Sequence, residues 1–208
     1  MRDLQPHRKL QMAIAALRAG ELVIYPTETF YGLAADPDSP EAMERIFTLK
    51  GRDPAKPIAL IAADADSAFA LAREIPLSAR RLAAAFWPGP LTIVLPARPG
   101  LHPALLGPGG VGVRVSSHPL ARALAAGLGR PITATSANPA GQASMTAPDD
   151  LVAIFGNQIE VILEDGILPG GAPSTLIEVF HNGYRVVRPG AIAESAIAEV
   201  LAAGGNPR

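Results

Sequence analysis

The sequence predicts an α/β (α+β) fold in which one mixed parallel and antiparallel sheet is flanked by helices. Short apolar segments typical of strands are interleaved with amphipathic segments of helical period along the 208 residues. Several strand segments follow one another with no helix between them, so part of the sheet should be antiparallel. No long linker, internal repeat or low-complexity segment interrupts the chain. We therefore expect a single domain spanning 1–208.

The helices are predicted from apolar periodicity and from residues that begin or end a helix. Apolar residues at helical spacing predict a first helix over 7–19, which Gly20 should end. A second helix is expected to begin after Ser39, a good N-cap, with Pro40 in the first helical position, and to end near Lys50. Further helices are expected over 66–73, 78–86, 118–127, 148–155 and 194–203.

The strands are predicted from short apolar runs. "ELVIY" (21–25) is a buried strand, and further strands are expected over 58–62, 91–95, 111–115, 131–135, 159–163, 174–179 and 184–187. "YPTETFYGLAAD" (25–36) follows the first strand and has two interpretations, of which the first is ordinary turn chemistry around Pro26 and Gly32. Its two threonines and second tyrosine exceed what a turn needs. They suggest the rim of a ligand site as the alternative.

Composition and charge exclude several classes of protein. The chain has no cysteine, which excludes a disulfide framework, thiolate metal sites and a cysteine nucleophile. Its four histidines lack the spacing of metal ligands. No run of eighteen apolar residues and no signal peptide are present, so we expect a cytoplasmic protein without a membrane span. The net charge of -1 gives no general indication of nucleic-acid binding.

One motif match and one candidate nucleophile are rejected on their context. "GPGGVG" (107–112) fits G-x-G-x-x-G, but it precedes a strand instead of opening a helix, so a dinucleotide site is not expected. A plain loop, or a close backbone approach to a ligand, remain the two interpretations. Ser136 in "TSANPAG" does not stand in the G-x-S-x-G nucleophile motif, so a hydrolase triad is unsupported.

The basic segment "LKGRDPAKP" (49–57) has two interpretations. It places Lys50, Arg52 and Lys56 around one turn, in a chain with only three lysines among its 18 basic residues. Cations at a helix C-terminus are favoured by the helix dipole, which would make this a solvated helix end. The alternative is a triphosphate clamp, because arginine and lysine together neutralise the charge that develops in phosphoryl or nucleotidyl transfer.

Arg114 and three polar segments complete the candidate site. Arg114 lies between valines in a predicted strand and needs a partner, because burying an unpaired charge is costly, and a carboxylate ligand would be one. "TATSANPAGQASMT" (133–146), "GGAPST" (170–175) and "VVRPGA" (187–192) place hydroxyls, amides and an arginine at strand ends. Together these features predict a site for a nucleotide and a small carboxylic acid.

Seven segments in order then carry a family resemblance. They are "PTETFYGLAAD", "KGRDPAKP", "FWPGPLTIVL", "VGVRVSSHP", "TSANPAGQAS", "GGAPSTLIEV" and "RVVRPGAI". From about residue 10 to 192 the chain resembles the YrdC-type threonylcarbamoyl-AMP synthases, in their short, single-domain form. The resemblance implies a YrdC-like twisted mixed sheet with flanking helices and a concave active-site basin. It also implies a nucleotidyltransferase that makes threonylcarbamoyl-AMP and pyrophosphate from L-threonine, bicarbonate and ATP.

The resemblance further implies roles for individual residues. Lys50, Arg52 and Lys56 would be catalytic and hold the ATP phosphates. The other implied ATP contacts are Gly110, Asn138, Thr146 and Arg188. The implied L-threonine contacts are Thr29, Arg114, Ser136 and Ser174, with Thr27 and Tyr31 in support. Mg²⁺ would accompany ATP through ligands that the sequence does not identify.

The family also implies a downstream partner, a tRNA threonylcarbamoyltransferase that modifies an adenosine beside the anticodon. Two other functions stay open at this point. One is the carbamoyl-adenylate-forming domain of hydrogenase-maturation proteins, whose acylphosphatase and zinc-finger modules do not fit within these 208 residues. The other is a non-catalytic module that binds double-stranded RNA or tRNA through phosphates, which would show as salt-sensitive binding.

Overall fold

The structure is a computed structural model that describes residues 4–156, 158–180 and 183–203, so the expected domain limits at 1 and 208 lie outside the described residues. That part of the chain forms seven α-helices and ten strands. The helices are α1 (Leu4–Arg18), α2 (Pro40–Lys50), α3 (Ala65–Phe69), α4 (Leu77–Phe86), α5 (Pro119–Leu128), α6 (Pro148–Phe155) and α7 (Glu194–Ala203). The strands are β1 (Val23–Pro26), β2 (Tyr31–Ala34), β3 (Ala59–Ala62), β4 (Leu91–Leu95), β5 (Leu106–Gly107), β6 (Gly110–Val115), β7 (Ile132–Ser136), β8 (Val161–Ile162), β9 (Thr175–Phe180) and β10 (Gly183–Arg188).

One mixed sheet joins these strands in the order β10-β9-β4-β6-β3-β7-β2-β1-β8, and β5 pairs with β6 outside this path. The pairs β1–β8, β3–β6 and β4–β9 are parallel, and the remaining pairs are antiparallel. The predicted mixed sheet with flanking helices is therefore confirmed. None of the helices in the described ranges has the length and apolarity needed to cross a bilayer.

Turn chemistry alone does not describe 25–36, because β2, a strand that the sequence did not predict, lies inside this segment. All four residues of β2 are buried, and the strand pairs antiparallel with β1, with Gly32 opposite Tyr25. A Cβ on Gly32 would lie 2.8 Å from Cζ of Tyr25. Gly32 thus makes room for a buried tyrosine ring across the pair instead of forming a turn. The segment is a β-hairpin whose turn is 27–30.

Two predicted elements are shorter than expected. The strand over 159–163 contains only β8, a two-residue strand at the sheet edge. The helix over 66–73 ends at Phe69, because the chain beyond it pairs with the segment after β4. Arg73 donates its N–H to the carbonyl oxygen of Pro96 at 2.9 Å, and Ala72 forms a bridge with Ala97. Tertiary pairing overrides helical propensity there.

The predicted limits of α2 are confirmed by its capping geometry. Ser39 Oγ accepts a hydrogen bond from the N–H of Ala42 at 3.2 Å, and Pro40 occupies the first turn. Gly51 ends the helix at φ 58°, the left-handed conformation that glycine tolerates best. These caps fix the point at which the chain leaves α2 for the basic segment.

Helices cover both faces of β1. Val23 and Tyr25 belong to a core cluster with residues of α1 and α5, whereas Ile24 belongs to the cluster that contains residues of α2 and α4. Alternation along the strand sends successive side chains to opposite faces, so β1 is apolar throughout. In β3, Ile61 belongs to the α1/α5 cluster and is the register partner of Arg114. Arg114 therefore projects from the sheet face that α1 and α5 cover only in part.

Candidate active site

A cavity of about 360 Å³ lies over the centre of the sheet, within the volume range of small-ligand sites. Its floor includes Ala59 and Ala134, which are register partners on β3 and β7. Thr92 and Leu176, partners on β4 and β9, continue the floor. Gly112 lies among these side chains, since a Cβ there would be 3.5 Å from Thr92 and 3.6 Å from Ala59. Small residues on neighbouring strands thus leave the sheet concave at this point.

Three arginines from separate parts of the chain line this cavity: Arg52, Arg114 and Arg188. The pKa of Arg188 is lowered by burial first, and then by repulsion from Arg114 and Arg52. Burial also lowers the pKa of Arg52. Among the described residues that line the cavity, none carries a carboxylate. The cavity is therefore positively charged and suited to anions.

The hydroxyls beside these arginines are held in place by hydrogen bonds. Arg188 Nη2 donates to the main-chain oxygen of Ser174 at 2.9 Å and to its Oγ at 3.2 Å. Ser174 Oγ lies 3.0 Å from Thr92 Oγ1. The segment after Arg188 approaches closely, because a Cβ on Gly190 would lie 2.3 Å from the oxygen of Pro173. "GGAPST" and "VVRPGA" therefore form one wall of the cavity.

The turn between β1 and β2 forms a second wall. Thr27 Oγ1 donates to the oxygen of Phe30 at 2.7 Å and accepts from the N–H groups of Thr29 and Phe30, each at 3.3 Å. Tyr31 Oη donates to the oxygen of Gly166 at 2.8 Å. The main-chain oxygen of Thr29 accepts from Gly170 at 2.9 Å. Thr27 and Tyr31 thereby fix the turn that brings Thr29 to the cavity rim.

Lys50 is buried, with 4% of its surface exposed, and it contacts the loop after β7. Its Nζ donates to the main-chain oxygens of Ser136 and Asn138, the latter at 2.6 Å, and to Asn138 Oδ1 at 3.3 Å. Ser136 Oγ also donates to Asn138 Oδ1, and Asn138 Nδ2 donates to Gln142 at 2.6 Å. Burial, together with repulsion by Arg52, lowers the pKa of Lys50 to about 8.

The structure brings six of the eleven predicted site residues to the cavity wall, namely Thr29, Arg52, Arg114, Ser136, Ser174 and Arg188. The other five, Lys50, Lys56, Gly110, Asn138 and Thr146, do not line it. Lys56 is exposed, and Lys50 and Asn138 are buried in the loop network. Gly110 lies in the β5–β6 hairpin at φ 120°, where a Cβ would be 2.0 Å from the oxygen of Leu95. Ligand contacts for these five residues stay predictions.

Sequence reasoning missed Glu28, which pairs with Arg114. Arg114 Nη1 donates to Glu28 Oε1, and Ser116 Oγ donates to Glu28 Oε2. The exposed fractions of the two side chains are 9% for Arg114 and 14% for Glu28. The partner that a strand arginine requires is thus supplied by the chain itself, 86 residues away. The only local signal was an acidic residue between the threonines of "PTET".

The described side chains around the cavity do not form a protein-held metal site. In the part of the chain that the structure describes, no three histidine, aspartate or glutamate side chains are grouped closely enough to hold a metal ion. Mg²⁺ prefers carboxylates together with substrate phosphates, and the lining residues supply hydroxyls and guanidinium groups instead. This donor set fits a cation that arrives coordinated by nucleotide phosphates.

Comparison with known proteins gives consistent matches. The family model Sua5/YciO/YrdC, described as telomere recombination, matches residues 15–190. A threonylcarbamoyl-AMP synthase of Chromohalobacter salexigens is 42% identical over 177 residues, which are 85% of this chain and 95% of that protein. A threonylcarbamoyl-AMP synthase of Pyrococcus abyssi is 37% identical over 195 residues, 93% of this chain and 57% of that protein.

Solved structures agree with the sequence matches. The crystal structure of P. abyssi Sua5 complexed with L-threonine superposes with a TM-score of 0.86 at 37% identity, covering 92% of this chain and 57% of that one. E. coli YciO gives a TM-score of 0.79 at 28% identity, with coverages of 90% and 91%. The chain thus spans little more than half of the P. abyssi protein and nearly the whole of YciO. By sequence and by fold, the chain belongs to the Sua5/YciO/YrdC family.

Proposed function

We propose that this chain is a threonylcarbamoyl-AMP synthase, a nucleotidyltransferase that uses L-threonine, bicarbonate and ATP. The single observation that carries the proposal is the convergence of Arg52, Arg114 and Arg188 in one cavity whose described lining residues include no carboxylate. A triphosphate and an amino-acid carboxylate are the two anionic groups of this reaction, and guanidinium groups bind both in bidentate fashion. The names of the relatives and the threonine-bound P. abyssi structure support this substrate choice.

The substrates are assigned to two sides of the cavity. Arg114, Thr29, Ser136 and Ser174 would receive L-threonine. Arg52 and Arg188 would receive the phosphates of ATP. Lys56, Gly110, Asn138 and Thr146 are proposed to contact ATP beyond the lining of the cavity. In this assignment Lys50 acts through Ser136 and Asn138, because its Nζ is already bonded to that loop.

The reaction needs positioning and charge stabilisation more than a protein nucleophile. The amine of threonine attacks the carbon of bicarbonate, from which a C–O bond breaks and water leaves, or the carbon of carbon dioxide, in which case the amine loses a proton; either route gives a carbamate. A carbamate oxygen then attacks the α-phosphorus of ATP, and pyrophosphate leaves with the displaced electron pair. The arginines offset the charge that grows on the phosphate oxygens, and the hydroxyls align the amino acid with the nucleotide. Enclosure in the cavity would shield the labile carbamate from water.

Mg²⁺ would enter with ATP as the counter-ion of its phosphates, and no step is assigned to a protein-held metal. The product would pass to a tRNA threonylcarbamoyltransferase, and tRNA itself is a candidate partner of this chain. We also propose a cytoplasmic location, because ATP, free threonine and the tRNA pathway meet there.

Pyrophosphate release by the purified chain tests the proposal. With ATP, L-threonine and bicarbonate present, release should be sustained, and omission of L-threonine or bicarbonate should abolish it. Replacement of L-threonine by L-serine in the assay measures how strongly the amino-acid site discriminates between these two amino acids. Pyrophosphate release that continues without any amino acid would contradict the proposal.

The two other functions are outcomes of the same assay. A carbamoyl-adenylate-forming enzyme would release pyrophosphate from ATP with another carbamoyl donor and without L-threonine. A non-catalytic RNA-binding module would release none, and would instead show RNA affinity that falls steeply with salt concentration.

A further inference from the structure

We propose that Glu28 is a positioning residue that orients the Arg114 guanidinium toward the substrate carboxylate. The inference rests on the proposed function, because it assigns a role within the L-threonine side of that site. Glu28 is not among the lining residues of the cavity, whereas Arg114 is. The carboxylate therefore lies behind the arginine and acts through it.

The Glu28 carboxylate is held at both oxygens. Oε1 accepts from Arg114 Nη1 and Oε2 accepts from Ser116 Oγ. Ser116 is fully buried, and its Oγ also accepts from the N–H of His118 at 3.1 Å. Thr27 in turn fixes the hairpin turn on which Glu28 stands. With both ends anchored, the ion pair sets the plane of the guanidinium group.

The remaining donors of Arg114 are available to a ligand. A guanidinium has five N–H groups, and within the described residues the hydrogen bond to Glu28 is the side-chain bond found for Arg114. No buried side-chain nitrogen or oxygen lacks a partner in that part of the chain. The other nitrogens of Arg114 are therefore accessible, and Arg114 meets open space at the cavity. One arginine can thus bridge Glu28 and a second carboxylate.

Electrostatics explains why this arginine needs a permanent anchor. Arg114 shares the cavity with Arg52 and Arg188, whose like charges repel it. A poorly solvated cation with like-charged neighbours and no anion would shift toward solvent when substrate is absent. Glu28 offsets that repulsion before the substrate arrives, so the substrate meets an arginine that is already oriented.

Kinetics of Glu28→Gln test the inference, with L-threonine affinity as the main readout. Because the amide keeps the size of the side chain but loses its charge, we expect KM for L-threonine to rise about ten-fold. We expect kcat and KM for ATP to stay within about two-fold, since the variant removes binding common to ground state and transition state. Glu21→Gln is the matched control, because Glu21 pairs with Arg45 on the exposed surface.

A double-mutant comparison, in which Glu28→Gln is introduced into a protein that already carries Arg114→Lys, shows whether Glu28 acts through Arg114. On that background Glu28→Gln should change KM for L-threonine by less than about two-fold, because lysine cannot share its charge in the same planar geometry. An equal effect on both backgrounds would overturn the inference. A fall in kcat with unchanged KM would also overturn it, because Glu28 would then act on the chemistry.

Binding of L-threonine alone, measured by calorimetry, separates this inference from the proposed function. If the wild-type protein binds no L-threonine, the proposed function fails. If the wild-type protein and Glu28→Gln bind it equally, only the positioning role fails. Should Glu28→Gln not fold, Ser116→Ala loosens one carboxylate oxygen and should raise KM for L-threonine by about two- to three-fold. An unchanged KM in Ser116→Ala would then count against the inference.

Discussion

The Nζ of Lys50 lies 2.6 Å from the main-chain oxygen of Asn138 and 3.3 Å from its Oδ1. This contact joins the last residue of α2 to the loop that follows β7, across 88 residues of sequence. The side chain of Ser136, which lines the cavity, bonds to the same Asn138. A basic residue expected on the phosphates thus organises a loop of the site.

Replacement of Lys50 should destabilise the protein. Lys50→Met removes the three hydrogen bonds that the buried Nζ donates to the main-chain oxygens of Ser136 and Asn138 and to Asn138 Oδ1, so we expect a loss of about 2 kcal/mol in the free energy of unfolding. Urea unfolding measures it. Lys9→Met is the control, since Lys9 and Glu164 are both 48% exposed and such pairs contribute about 0–1 kcal/mol. Equal losses in the two variants would contradict the structural role of Lys50.

The lowered pKa of Lys50 should make the free energy of unfolding depend on pH. Burial holds its pKa at about 8 in the folded chain, against an ordinary 10.5, so the unfolded state binds more protons between these values. Stability therefore rises with pH in that window, by up to about 1.4 kcal/mol per pH unit. The difference in unfolding free energy between wild type and Lys50→Met isolates this contribution. It should grow from pH 8 to pH 10, and a difference that shrinks would show that Lys50 is not held below its ordinary pKa.

Gly110→Ala should strongly destabilise the protein. The residue has φ 120°, and a Cβ would meet the backbone of Leu95 at 2.0 Å for oxygen and 2.8 Å for carbon. Neither the strained φ nor a backbone clash can be relieved by a side-chain rotation, so we expect a loss of more than about 3 kcal/mol. Thermal unfolding of Gly110→Ala and Gly183→Ala provides the comparison, because a Cβ on Gly183 meets nothing within 4 Å. Similar melting temperatures would refute the clash.

Arg52→Ala and Lys56→Ala should differ in their effect on ATP use. Arg52 lines the cavity and Lys56 does not, although both stand in the basic segment. We expect kcat/KM for ATP to fall about 100-fold in Arg52→Ala, which loses charge-assisted contacts to phosphate, and by less than about five-fold in Lys56→Ala. Initial rates at varied ATP give both values. Arg52 also holds the turn through the oxygens of Lys56 and Pro57, so melting temperatures of both variants accompany the rates. A larger loss of kcat/KM for ATP in Lys56→Ala than in Arg52→Ala would indicate that the phosphates bind outside the cavity.

Much of the fold could be predicted from the sequence, because it depends on local signals. Ser39, Pro40 and Gly51 mark the ends of α2 by chemistry that acts within a few residues. β2 escaped prediction because its four residues follow a polar turn and include Gly32. That glycine serves the Tyr25 ring across the strand pair, a tertiary reason that no local pattern shows.

The site was predictable in its residue types but not in its internal pairing. Lys50 follows Met43 and Ile46 on the buried face of α2, so its burial could have been inferred from the spacing. Its bond partners on the β7 loop could not, because they depend on the sheet order. Glu28 and Arg114 pair across 86 residues for the same reason. Sequence reasoning expected an external carboxylate for Arg114 and could not see that the chain supplies one.

The most direct test of the proposed function is the mass of the nucleotide product formed with ¹³C-labelled bicarbonate. The purified chain is incubated with ATP, L-threonine and labelled bicarbonate, and the product is compared with that from unlabelled bicarbonate. The account predicts threonylcarbamoyl-AMP that is heavier by one mass unit in the labelled reaction, with pyrophosphate in equal amount. An adenylate without the label, or no adenylate while ATP is intact, would contradict it.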